Sequence, residues 1–139
     1  MKFRSQQLRV VSLLLVIYYL ILAWMFNRTG YEHPERLFYA EKLKLLFEYS
    51  ENTLLTLGTT FPTTSFLINV IFAPFGYLFA PVASSIVLMS FLFFFMAKDI
   101  NGSGLPARTM IISLMALFLL HPQFIFAATS GRNIAAIML

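Results

Sequence analysis

Apolar residues fill positions 10–26 apart from Ser12, behind the basic residues Lys2, Arg4 and Arg9. With its flanks this run matches the ~20 helical residues that cross a ~30 Å hydrocarbon core, and it predicts a first transmembrane helix over about residues 9–27. A cleavable signal peptide also begins with basic residues, but its shorter apolar core leads to a small-x-small site. Here Trp24-Met25-Phe26-Asn27-Arg28 follows, so an uncleaved anchor is expected. A second apolar stretch, residues 66–79, contains Pro74 and Gly76. As a helix it reaches only ~21 Å, which fits an interfacial or re-entrant segment better than a crossing. Pro81 suits the first turn of the next helix, where a missing N–H costs nothing, and residues 81–97 supply the second span. The third, over about residues 109–127, is interrupted at His121-Pro122. A further span begins at 133–139, and an end inside an apolar run leads us to expect the N-terminal portion of a longer polytopic chain.

Between the first two spans the pattern changes. Pro34 and Glu35 fit the first turn of a helix, on which Tyr39, Ala40, Leu43, Leu46 and Phe47 recur at helical spacing. Glu41, Lys42, Lys44 and Glu48 fall on the other side, the pattern of a helix that lies in a membrane interface. Gly58, Pro62 and the threonine pairs at 59–60 and 63–64 then break it. The fold class expected is an all-α integral membrane protein. It has a single membrane domain over residues 1–139, with about three transmembrane helices and an outward loop, residues 27–80, carrying one or two interfacial helices.

Composition sharpens this picture. The chain is 59% hydrophobic and 12% charged with a mean hydropathy of +0.78, so no sizeable water-soluble domain fits within it. Phenylalanine occupies 16 of 139 positions, and lipid contact or helix packing is the ordinary role of such rings, including the cluster Phe91, Phe93, Phe94 and Phe95. Cysteine is absent, which excludes disulfides, thiolate metal sites and cysteine nucleophiles. The net charge of +4 speaks to topology: basic flanks put the N-terminus and the 98–108 connection on the cytoplasmic side. No basic run is long enough to suggest nucleic acid.

Five of the six acidic residues lie within residues 27–62. Glu32 and Glu35 follow directly on a membrane exit, where partial desolvation raises a carboxylate toward the range of a working base and a fixed depth brings it to a lipid-borne substrate. Acidic residues at a helix start also favour its dipole, and spacing alone does not separate the two roles. His33 and His121 are the only histidines and lack the spacing of a metal site, so no metal is expected. His121 reads as a polar residue at a helix break. Arg132, set between apolar segments, fits either a lipid phosphate or an interfacial loop. The sequons at Asn27 and Asn101 are chance-level patterns.

In this order of features the chain resembles the N-terminal part of a C-type (GT-C fold) membrane glycosyltransferase, the group containing protein O-mannosyltransferases and aminoarabinose transferases. His33-Pro34-Glu35-Arg36-Leu37-Phe38-Tyr39-Ala40-Glu41 is similar to that family's acidic motif and the helix after it. Thr60-Phe61-Pro62-Thr63-Thr64-Ser65-Phe66-Leu67 with Pro74-Phe75-Gly76 resembles its proline-containing segment, and Ala127-Ala128-Thr129-Ser130-Gly131 a later outward connection. The family usually shows Asp in its acidic pair, where this chain has Pro34-Glu35. The resemblance implies sugar transfer from a polyprenyl-phosphate donor, with Glu35 as the first catalytic candidate and Glu32 the second. Arg36 and Arg132 become the candidates for holding phosphate. The partners expected are membrane lipid, a lipid-linked sugar and other membrane subunits, in a bacterial inner (cytoplasmic) membrane. No cofactor is named by these residues. The competing reading is a non-catalytic accessory subunit that packs its Phe-rich helices against a larger membrane complex.

Overall fold

The computed structural model describes residues 5–30, 32–49 and 63–131, and among these residues it is all-helical, with no strand. Helix α1 (Ser5–Arg28) is followed by α2 (Pro34–Glu48) and α3 (Thr63–Phe72), which runs into a single 3-10 turn, Ala73–Phe75. Then come α4 (Ala80–Gly102), α5 (Arg108–Leu119) and α6 (Pro122–Thr129). The expected helix break at Gly58 and Pro62 and the expected span start at 133–139 lie outside the described residues.

Two of these helices are long and apolar enough to cross a membrane, α1 from Gln6 onward and α4, each with 23 residues, or ~34 Å. The chain is therefore membrane-associated. α5 and α6 together make a third span if counted as one, bent by 65°. The bend has a local cause. Pro122 has no N–H to give an α5 that continued through it, and His121 instead caps the next helix, its Nδ1 accepting from the Gln123 N–H at 3.4 Å.

α4 is the hub. In its apolar stretch 61% of residues are buried, against 22% for α1, and every other helix packs on it. Val82, Ile86, Met89, Phe93 and Ala97 recur every three or four residues along its buried side and meet Leu8, Leu15, Tyr19 and Ala23 of α1. The same core takes in Ile112 and Leu119 of α5 and Ala127 and Ala128 of α6. A second cluster joins Tyr39 and Leu43 of α2 to Phe66, Ala73 and Ala80. Residues 80–86 are all buried, and four of the seven are Ala or Ser, so neighbours can approach the backbone closely from several sides.

Two polar side chains inside this packing bond across helices. The Ser84 hydroxyl lies between Asn69 Oδ1 of α3 and the Pro81 carbonyl, and the Tyr19 hydroxyl donates to the Leu119 carbonyl at 2.9 Å. The second bond reaches a carbonyl that the end of α5 leaves without a helical partner. α1 itself closes on Gly30, whose φ of +74° turns the chain away toward α2.

The direction of the helices yields a topology test. The first turns of α4 and the end of α1 share one end of the bundle, because Phe79 and Val82 meet Trp24 and Asn27, so α1 and α4 are antiparallel. With no native cysteine in the background, single cysteines at positions 29 and 103 should label from opposite sides of the membrane. Labelling of both from one side would refute the antiparallel crossing. Tyr19→Phe should lower resistance to denaturation by about 0.6–2 kcal/mol through loss of its interhelical bond. Tyr18→Phe, on the exposed side, should change little.

Candidate functional site

The end of α1, the start of α2 and the end of α6 enclose a cavity of about 350 Å³, lined by Ala23, Phe26, Asn27, Thr29, His33, Arg36, Phe126, Thr129 and Ser130. Pro34 at the first position of α2 and His33 before it build one wall. His33 Nδ1 accepts from the Glu35 N–H at 3.2 Å, and its ring meets Phe126 edge-on with centroids 6.0 Å apart. A histidine can cap a helix because its ring nitrogen carries a lone pair that a free N–H of the first turn can reach.

Arg36 is the unusual member. It is only 8% exposed, yet its contacts are neutral: Nε donates to the Leu78 carbonyl at 2.8 Å and Nη2 to Asn27 Oδ1 at 3.2 Å. The Lys44–Glu48 ion pair lies elsewhere, one turn apart on the exposed side of α2. Burial pushes the Arg36 guanidinium below its ordinary pKa, and the charge of Glu32 acts in the opposite direction without forming an ion pair. A guanidinium has five N–H donors, and these two bonds occupy two of them. Arg36 also lines a neighbouring cavity of about 240 Å³ with Leu20, Ala23, Trp24, Asn27, Phe79 and Val82, so both hollows open onto the same cation.

Across the larger cavity, the Ser130 hydroxyl is buried and has no hydrogen-bond partner, while the Thr129 hydroxyl is committed to the Ile125 carbonyl at 2.7 Å. Gly131 sets the position of Ser130. Its φ is +77°, and an added Cβ would lie 3.1 Å from Pro81 Cβ and 3.3 Å from the Pro81 carbonyl carbon. The end of α6 is thus seated on the first turn of α4. The lining thus combines a guanidinium with donors to spare, a hydroxyl without a partner and apolar rings, a donor set of the kind that suits an anionic oxygen cluster.

Of the residues singled out in the sequence, Arg36 lies in this cavity. Glu35 is half-buried and Glu32 exposed at the same end of α2, and neither lines the cavity. Glu35 acts on Tyr39, whose pKa is raised first by burial and also by the Glu35 charge, against a hydrogen bond with Ser65 that lowers it. Arg132 lies outside the described residues. Asn27 and Ser130 were missed, since nothing in their local sequence marks them. The capping role of His33 was also missed, although a signal for it exists: His-Pro occurs twice, at 33–34 and 121–122, and opens a helix both times.

Gly131→Ala should destabilise the protein by about 1–2 kcal/mol from backbone strain alone, with a further cost from contact with Pro81. Gly104→Ala, where nothing lies within 4 Å of the added Cβ, is the control. Equal thermal midpoints for the two variants would show that α6 does not close on α4 in this way. No protein-family model, no curated protein and no solved structure matches the chain.

Proposed function

We propose that the Arg36 cavity holds the phosphate of a lipid-linked substrate, and that the chain is the N-terminal part of a membrane glycosyltransferase using a polyprenyl-phosphate sugar donor. The observation that carries the reading is a buried arginine, bonded only to neutral groups, facing a cavity at the end of two membrane-length helices. A buried cation without a counter-ion is costly, and a phosphate drawn from the bilayer surface supplies one. The likeness of residues 33–41 to the acidic motif of C-type glycosyltransferases supports the choice of chemistry.

In this mechanism an acceptor hydroxyl attacks the anomeric carbon of the donor as the bond from that carbon to the phosphate oxygen breaks. Glu35 takes the hydroxyl proton, and the released lipid phosphate keeps its negative charge against Arg36 and the Ser130 hydroxyl. The location proposed is a bacterial inner membrane with the N-terminus in the cytoplasm and the cavity on the outer side. The basic residues ahead of the apolar run of α1 support that orientation, as do Lys98, which falls in the last turns of α4 because that helix continues to Gly102 past the expected start of the connection at 98, and Arg108 at the start of α5.

Binding and chemistry separate in the test. With the full-length protein in nanodiscs, Arg36→Gln should weaken polyprenyl-phosphate binding by about tenfold or more. Arg36→Lys should recover only part of it, since an ammonium lacks the planar fork. Glu35→Gln should leave binding intact and reduce sugar transfer by about 100- to 10,000-fold, the usual contribution of a general base. Glu48→Gln should alter neither. Unchanged binding in Arg36→Gln would overturn the phosphate site, and full activity in Glu35→Gln would remove that residue from the chemistry.

A further inference from the structure

A second hollow lies between the same two long helices, toward the N-terminus of α1 and away from Arg36. This groove of about 270 Å³ is lined by Arg9, Ser12, Leu13 and Val16 of α1 and by Val87, Ser90, Phe91 and Phe94 of α4. Its walls are almost wholly apolar, and Leu13 and Phe91 are more than half exposed beside it. Two features set it apart from an ordinary gap between helices. The Ser90 hydroxyl is 5% exposed and has no hydrogen-bond partner. Ser12, by contrast, donates to the Leu8 carbonyl at 2.9 Å, the usual way for a membrane-helix serine to satisfy itself. Arg9 stands at the mouth, with no ion-pair partner among the described residues.

The chemistry changes with depth. Ser12 and Leu13 lie about one helical turn, ~5 Å, further along α1 than Arg9, and Ser90 about one turn inward from Phe94 on the antiparallel α4. A cation at the rim, a spare hydroxyl donor one turn deeper and an aromatic and aliphatic slot below repeat the order of a glycerophospholipid: phosphate, ester carbonyl, acyl chain. Charge selects which lipid. Arg9, Lys98 and Arg108 belong to this end of the two long helices and their flanks, against Asp99 alone among the described residues. Such an end attracts anionic headgroups.

We propose that this groove seats one anionic glycerophospholipid of the surrounding bilayer, with its phosphate on Arg9, an ester carbonyl accepting from Ser90 and one acyl chain between Val16, Val87 and Phe91. The site is independent of the Arg36 cavity, from which it is separated along α1. Its role is to fill the seam between α1 and α4 and to fix their register at the end where no loop joins them.

The test uses the full-length protein reconstituted with equal phosphatidylglycerol and phosphatidylcholine, then released into mild detergent and weighed by native mass spectrometry. One phosphatidylglycerol should be retained per chain. Arg9→Gln should lower its retention about five- to tenfold and abolish the preference over phosphatidylcholine. Ser90→Ala removes one neutral hydrogen bond and should lower retention of either lipid about three- to fivefold while leaving the preference intact. Lys98→Gln, a basic residue at the same end but outside the groove, should lower both quantities far less than Arg9→Gln does, because it contributes only to the general field of this end. If Lys98→Gln acts as strongly as Arg9→Gln, or if Ser90→Ala has no effect, the lipid is held by diffuse surface charge and the seated site is overturned. A monodisperse elution profile and unchanged polyprenyl-phosphate binding identify each variant as folded, so a negative result reads on the groove and not on the cavity.

Discussion

Close packing around the first two turns of α4 is the constraint on which the rest of this structure depends. Seven successive residues there, 80–86, are buried at once, which a helix with one apolar stripe cannot achieve. They manage it because small side chains let α1, α2, α3 and α6 approach the same few ångströms of backbone. Pro81 lies in the first turn, where its missing N–H would have had no helical partner, and its ring is the surface on which Gly131 lands. Each neighbour then finds its place by a different device: Asn69 by its bond with Ser84, α2 by the Arg36 bond to Leu78, α6 by a glycine turn.

The same convergence puts a charge where charge is expensive. Arg36 replaces part of its hydration with a backbone carbonyl and an amide oxygen, and neither neutralises it. A guanidinium tolerates this better than an ammonium, because it is weakly hydrated and stays protonated even when burial lowers its pKa. The arrangement therefore preserves a cation beside a cavity at little conformational risk, since Leu78 and Asn27 hold its plane. The Glu32 carboxylate acts on Arg36 through its field but lies outside the cavity lining.

Much of this was legible in the sequence, and for physical reasons. The two long spans follow from apolar runs that carry no charge and only scattered serines, because in hydrocarbon a segment must satisfy all its backbone hydrogen bonds internally and a helix is the simplest way to do so. The start of α2 at Pro34, its buried side at Tyr39, Ala40 and Leu43, and the break at His121-Pro122 follow from local rules of proline geometry and helical period. The exposed side of α2 likewise carries Glu41, Lys44 and Glu48, but Lys42, expected with them, is half-buried and Phe47, expected on the buried side, is 52% exposed. Helical period, proline chemistry and bilayer thickness act over a few residues or along one segment, and a single chain displays them openly.

What only the tertiary structure decided is which polar groups are shut inside. Arg36 stands one position after Glu35 on the same helical turn, yet one is buried against α1 and α4 and the other is half-open, a difference set by residues 27 and 78. The free hydroxyls of Ser90 and Ser130 are equally silent in the sequence, where serine beside apolar residues usually bonds back to its own helix, as Ser12 and Thr129 do. Sequence determined where the helices form, since that is a property of each segment alone, but not their full lengths: α4 continues to Gly102, past the expected end at 97. The two cavities and the cation between them were decided by how distant segments meet, because burial and hydrogen-bond satisfaction belong to pairs of elements and exist only once those elements are packed.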